Sequence, residues 1–212
     1  MTQVLIADGR VLVRAGLRRI LQGNPRIKTI YETSSGEDAI VSCRRRRPDV
    51  VVMNLHLPGL TAFEVTCRIR RNGTKPGIVV LAEHAKAPYP TRLLSAGANA
   101  YLTKDCDSEE LLKAISAAAL GQRYVGTEAS KQLALSMFPG RPESPFEELS
   151  ARELEVMMKL AEGDRVPEIA RVLCLSPKTV ATYKYRIYQK VGTRSEVGLL
   201  RMALRYGLVE AG

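Results

Sequence analysis

Apolar and polar positions follow two rhythms along the first 120 residues. Short, mostly apolar runs occur at VLIAD (4–8), KTIYE (28–32), VVVMN (50–54), GIVVLA (77–82) and AYLT (100–103). Each is followed by a segment whose apolar residues recur at helical spacing. After the first run, VLVRAGLRRILQG places Val13, Leu17, Ile20 and Leu21 on one side and arginines on the other. SGEDAIVSCRRRR, TAFEVTCRIRR, PTRLLSAGA and DSEELLKAISAAALG follow the other four runs. Five strands each followed by a helix predict an α/β domain, a doubly wound (βα)5 parallel sheet covered on both faces. Function in such a sheet collects in the loops beyond the carboxyl ends of the strands. Asp8, Asn54, Ala82 and Lys104 all fall there and are expected to surround one pocket.

From residue 121 the rhythm changes. TEASKQLALSMF reads as a short helix, and PGRPESP (139–145), with three prolines in seven residues, reads as a linker. Then come helix signals in close succession. Leu149-Ser150-x-x-Glu153-Leu154 has the form of a capping box flanked by a hydrophobic staple, and its helix ends at Gly163. Pro167 opens a short second helix, PEIARVL, and CLS makes a tight turn. Ser176-Pro177 starts a longer third helix that runs to Gly192. Thr193-x-x-Glu196 predicts a second capping box and a fourth helix that ends before Gly207. A short helix, a tight turn and a longer helix, flanked by one helix on each side, make an all-α helix-turn-helix domain. The expected division is 1–121, 122–147 for the linker with its short helix, and 148–212.

On the third helix Val180, Ile187 and Val191 fall on one line and should face the core. The opposite face carries Lys178, Thr182, Tyr185 and Gln189, flanked by Thr179, Ala181 and Arg186. Small, hydroxylic, basic and aromatic groups of this kind can enter a major groove and reach base edges and thymine methyls. Lys184 and Lys190 sit on the flanks, where long stems are expected to reach phosphates. Tyr183 is expected in the core.

Charge supports a polyanionic partner. The formal net charge is +10, with 25% charged residues. Residues 1–120 hold 18 Lys and Arg against 11 Asp and Glu, a net of +7, and residues 121–212 hold 14 against 11, a net of +3. Cys43, Cys67, Cys106 and Cys174 share no close spacing, which speaks against a zinc site or a disulfide framework and fits a reducing cytoplasm. His56 and His84 have no neighbours arranged for metal binding or a catalytic triad. No stretch approaches a membrane span, and the N-terminus goes straight into a strand without the basic region of a signal peptide. The run Arg44 to Arg47 reads first as a solvated helix C-terminus and second as an anion or DNA-backbone contact.

LSARELEVMMKLAEG and PEIARVLCLSPKTVATYKYRIYQKVGTRSEV resemble the LuxR-type DNA-binding domain of NarL/FixJ-family response regulators. The first half resembles their receiver domain, and YPTRLLSAGANAYLTK, AALGQRYV and SPFEELSARE are similar to the GacA/UvrY group. The resemblance runs from about residue 3 to residue 209. It implies a two-component transcription regulator that binds promoter DNA as a dimer. Val197, Leu200, Ala203 and Leu204 on the fourth helix are candidates for the dimer contact, as are the first and fifth receiver helices.

The resemblance also implies what the pocket should contain: two adjacent acids after the first strand, an aspartate after the third, a Ser or Thr after the fourth, and a lysine after the fifth. The acids hold Mg²⁺, the aspartate attacks phosphorus, and metal and lysine neutralise the developing charge. Here Asp8 keeps the first acid, but its neighbour is Gly9, the acceptor is Asn54 and the hydroxyl position is Ala82; Lys104 and the aromatic switch position, Tyr101, are kept. An amide cannot form the acyl phosphate, so no phosphorylation, catalytic residue, cofactor or metal is expected. The pocket should be structural, with Asn54 accepting from Lys104 and donating to Asp8, and Tyr101 turned inward beside Ala82. The alternative reading is an interaction protein that pairs with an intact relative or occupies its histidine kinase. Enzyme chemistry has no supporting constellation.

Overall fold

The computed structural model describes residues 1–73, 75–85, 89–136, 145–161, 163–173, 175–206 and 208. Most of the expected linker PGRPESP, the first residue of the CLS turn, and Gly207 lie outside them. The chain divides into two compact units, Met1–Met137 and Phe138–Gly212.

The first unit is built on a parallel sheet in the order β2-β1-β3-β4-β5-β6. The strands are β1 Thr2–Ala7, β2 Ile27–Thr33, β3 Val50–Asn54, β4 Gly77–Ala82, β5 Ala100–Thr103 and β6 Tyr124–Val125. Between and after them run α1 Val11–Gln22, α2 Gly36–Arg46, α3 Ala62–Arg71, α4 Tyr89–Ser95, α5 Ser108–Ala119 and α6 Thr127–Ser136. The five expected strands are present, and β6 is an addition to them. It is two residues long and pairs with β5 at Ala100 and Tyr101, too short to show any period in the sequence.

Every residue of β3 and β4 is buried, which is why both read as unbroken apolar runs. One face of the sheet, with Val4, Ile6, Val52, Val79 and Leu81, packs on Leu111 and Ile115 of α5 and Leu21 of α1. Helix starts are fixed by side chains that accept from otherwise unpaired backbone N–H groups. Ser35 caps α2, Asp107 caps α5, and Thr61 with Glu64 closes a reciprocal capping box on α3.

The second unit comprises a 3-10 turn Pro145–Glu148 and helices α7 Ala151–Ala161, α8 Val166–Val172, α9 Pro177–Val191 and α10 Glu196–Arg205. Its core includes Phe146, Leu149, Leu154, Met157, Ile169, Val180, Ile187 and Leu199. The Ser150 box is closed on both sides: Ser150 N–H donates to Glu153 Oε2 at 2.7 Å, and Glu153 N–H donates to Ser150 Oγ at 3.2 Å. Ser176 accepts from Thr179 N–H at 3.0 Å, and Gly192 ends α9 in the left-handed region with φ 74°.

The fourth helix corrects one expectation. Its N-cap is Ser195, whose hydroxyl accepts from Gly198 N–H at 3.0 Å, and not Thr193. Thr193 instead turns its hydroxyl toward the Ser195 carbonyl, so helix α10 begins two residues later than a Thr193 cap would start it.

Candidate functional site

The carboxyl ends of β1, β3, β4 and β5 bring the expected pocket residues to one edge of the sheet. Asn54 closes β3 and Ala82 closes β4, Asp8 follows β1, and Lys104 follows Thr103 at the end of β5. Asp8 is 2% and Asn54 8% exposed, so neither is a surface group. Parallel register holds them: Asn54 pairs opposite Leu81, and Lys104 N–H donates to the Ala82 carbonyl at 2.8 Å.

The polar network differs from the expected one. Asn54 Nδ2 donates to the carbonyl of His56, two residues on, at 3.0 Å. It therefore braces its own turn and is not bonded to Asp8 or Lys104. A short polar side chain satisfies the nearest backbone acceptor before reaching across the pocket.

Two residues that sequence reasoning passed over take the remaining places. Arg10 donates to Asp8 Oδ1 from its backbone N–H at 2.8 Å and from Nε at 3.4 Å. Its Nη1 reaches Glu83 Oε1 at 3.1 Å. Lys104 Nζ lies 2.8 Å from the same Glu83 oxygen and 4.0 Å from Asp8 Oδ2. Two cations and two carboxylates thus form one closed, neutral cluster. Burial alone would lower the Arg10 guanidinium, but the Asp8 and Glu83 carboxylates outweigh it and hold its pKa raised. Glu83 directly follows β4 and Arg10 lies three residues past β1, so the carboxyl-end rule covers them too.

Magnesium does not fit this donor set. Its octahedral shell is anchored by one or two free carboxylates, with waters completing it. Asp8 is the one pocket carboxylate in the expected positions, and both its oxygens already face cations. At position 9 there is no room for a second acid with Pro58 as placed: a Cβ on Gly9 would sit 2.8 Å from Pro58 Cγ. Tyr101 is fully buried, and its hydroxyl donates to the His84 carbonyl at 2.9 Å. Burial pushes that phenol above its ordinary pKa.

In the second unit α9 packs Val180, Ile187 and Val191 inward. Its outer face exposes Lys178, Ala181, Thr182, Tyr185, Arg186 and Gln189, with Tyr185 64% exposed. Thr182 Oγ1 donates to the Lys178 carbonyl at 3.0 Å, which turns its hydroxyl back to the helix. Gln189 Nε2 donates to the Tyr185 hydroxyl at 2.8 Å, so these two present one linked polar edge. Thr179 is half-buried, its hydroxyl 2.7 Å from Ser176 Oγ. Tyr183 is half-buried and not in the core.

The flanking lysines are engaged within the unit. Lys184 Nζ is 2.5 Å from Glu196 Oε1 and lies over the Tyr188 ring. Lys190 Nζ reaches Glu153 Oε2 at 2.6 Å and the Glu148 carbonyl at 3.3 Å. Neither stem hangs free as expected. On α10, Val197 and Leu200 are exposed and Leu204 is half-buried, but Ala203 is fully buried and has no surface to offer a partner. Ala203 therefore leaves the set of dimer candidates.

The described cysteines, Cys43, Cys67 and Cys106, are free, and the described residues contain no cluster of acids, histidines and cysteines that could hold a metal. No helix among them is long and apolar enough to cross a membrane.

A receiver sheet followed by a four-helix reader defines the class of DNA-binding, LuxR-family response regulators. The family described as response regulator receiver domain matches residues 4–116, and that described as bacterial regulatory proteins, luxR family, matches residues 147–203. The chain belongs to this family, and within it lies near two named groups. It is 42% identical to response regulator UvrY of Escherichia coli over 212 residues, covering all of this chain and 97% of that one. It is 39% identical to response regulator GacA of Pseudomonas aeruginosa, covering all of this chain and 99% of that one. Among solved structures it resembles the response regulator ChrA of a heme-sensing two-component system, at TM-score 0.56 and 28% identity, covering 98% of each chain. RcsB of Salmonella enterica serovar Typhimurium bound to promoter rprA shares the fold at TM-score 0.68 and 23% identity, over 99% of this chain and all of that one.

Proposed function

We propose that this protein is a promoter-binding transcription regulator whose receiver is not switched by phosphorylation at residue 54. The observation that carries the reading is the pocket itself. Asn54 offers an amide bonded to its own turn, and Asp8 is engaged by Arg10 and Lys104. Phosphoryl transfer to a carboxylate needs a free oxygen nucleophile and a counter-ion that neutralises developing charge. This pocket lacks the nucleophile, and Asp8, the carboxylate kept at the expected positions, is already engaged by cations. Its cations are part of the chain.

The receiver serves as a fixed platform in this reading, divided from the reader much as 1–121, 122–147 and 148–212. Tyr101, fully buried with its hydroxyl on the His84 carbonyl, supports a single resting arrangement of the switch position. DNA is read by Lys178, Thr179, Ala181, Thr182, Tyr185, Arg186 and Gln189, while Lys184 and Lys190 hold α9 in place. Two copies pair through Val197, Leu200 and Leu204, since two half-sites read together bind far more tightly than one. The complete polar face on α9 favours this over a decoy that only occupies a kinase or an intact relative.

The test is selection of genomic fragments by the untreated protein, followed by titration of the best fragment with Lys178→Ala and Tyr185→Ala. Each should weaken binding by roughly tenfold, the value of about 1.4 kcal/mol lost at one base or phosphate contact. Undiminished binding by both variants would remove α9 as the reader.

A further inference from the structure

A groove of about 420 Å³ runs between α2 and α3, apart from the pocket residues. Its floor is apolar: Ile40, Leu60 and Val41, the last 45% exposed. Arg44, Arg68 and Arg71 line its rim. Arg44 donates to Asn72 Oδ1 at 2.9 Å, a neutral partner. Arg68 and Arg71 are one turn apart on α3, and neither makes an ion pair or side-chain hydrogen bond with a described residue.

Elsewhere in the receiver Arg10, Arg14 and Arg18 are paired with acids and Arg70 is fixed by carbonyls, while Arg19, Arg45 and Arg47 are exposed and, like Arg68 and Arg71, make no ion pair with a described residue. Arg68 and Arg71 are set apart by bordering partly exposed apolar side chains. Glu37, the one acid lining the groove among the described residues, makes no ion pair with them. Its oxygens crowd the Gly59 backbone, so closely that a Cβ there would sit 2.4 Å from Oε2. The groove therefore combines an exposed apolar floor with uncompensated guanidinium groups spaced at helical pitch.

We propose that this groove takes an acidic amphipathic helix of a partner protein. Apolar side chains at i, i+3 and i+4 of such a helix cover Val41 and Leu60. Carboxylates one turn apart on its flank meet Arg68 and Arg71, whose planar forks match carboxylate geometry. A nucleic-acid backbone would use the rim alone and leave the apolar floor wet. The floor decides for protein.

The probe is a labelled synthetic helix of leucine and glutamate at that spacing, with a second peptide carrying serine for leucine and a random-sequence DNA duplex as comparisons. Each is titrated with the full chain and with Arg68→Glu/Arg71→Glu, and circular dichroism reports whether the variant folds. The leucine–glutamate peptide should bind the wild type and lose at least about tenfold on the charge reversal, as two charge-assisted pairs become repulsive. It should also bind at least about tenfold more tightly than the serine peptide, because the floor is apolar. Val41→Glu, a single change at an exposed position, should weaken the same peptide and serves if the double variant fails to fold. Equal binding of the two peptides overturns the proposal, as does no peptide binding at all. A loss of duplex affinity as large as the peptide loss does so as well, since it would mark a general polyanion surface.

Discussion

Replacing Lys190 separates a structural role from a DNA contact on the same residue. Lys190→Met keeps the stem and removes the ammonium that reaches Glu153 Oε2 at 2.6 Å and the Glu148 carbonyl at 3.3 Å. The Glu153 side chain is 5% exposed and that of Lys190 37%. The carboxylate would keep its bond from Ser150 N–H but lose its counter-ion. A charge-assisted hydrogen bond with one buried partner is worth about 1.5–3 kcal/mol, and discounting for the half-exposed lysine leaves about 1.5 kcal/mol. In a unit of this size that is a fall in Tm of roughly 6–12 °C.

The loss should also depend on pH. Burial alone would raise the Glu153 carboxyl, but hydrogen bonds from Lys190 and Ser150 prevail and hold it below the usual carboxylate range. A carboxyl with a lowered folded pKa stabilises the fold above its unfolded pKa, and this is lost as pH falls through the folded value. The gap between wild type and Lys190→Met is therefore largest near neutrality and closes in acid. Calorimetry of the full chain at several pH values measures it, with Lys178→Met, an exposed lysine, as the control. Lys178→Met should leave Tm unchanged and weaken DNA binding. The reasoning fails if Lys190→Met leaves Tm within a degree of wild type and instead lowers DNA affinity and its salt dependence as a lost phosphate contact would.

Gly9→Asp, the change that would restore a second acid, should lower receiver stability by about 1–3 kcal/mol because its Cβ meets Pro58 Cγ at 2.8 Å; denaturant titration reports it, and an unchanged midpoint would show that the Pro58 turn yields freely. Ser195→Ala should cost about 1 kcal/mol as a lost N-cap, while Thr193→Ala should cost less, and the reverse order in thermal unfolding would return the cap to Thr193.

The central strands β3 and β4 were legible because burial on both faces of a parallel sheet leaves unbroken apolar runs, and amphipathic helices leave a 3.6-residue period; edge strand β2, with no fully buried residue, was legible from its place between two helices. β6 was not, since Tyr124 and Val125 earn their strand state from β5 alone. At the start of α10 the pattern Thr193-x-x-Glu196 pointed to Thr193, whereas the cap is Ser195, whose partner Gly198 N–H carries no side-chain signal in the sequence. The pocket residues were found by position, but not their partners. Asn54 turned to a carbonyl of its own loop, a contact made by backbone shape and not by residue type. The partnership of Lys190 with Glu153 spans 37 residues and has no trace in either local pattern. Arg10 and Glu83 carried the one missed signal that was available, their place next to the ends of β1 and β4.

The central claim is that DNA binding does not wait on phosphorylation. The most direct measurement is selection of genomic fragments by untreated protein in parallel with protein given a small-molecule phosphodonor and Mg²⁺, with phosphate incorporation followed in the same samples. The account predicts the same fragments at the same affinity in both arms, and no acid-stable or acid-labile phosphate on the chain. Binding that appears only with the phosphodonor, together with incorporated phosphate, would contradict it.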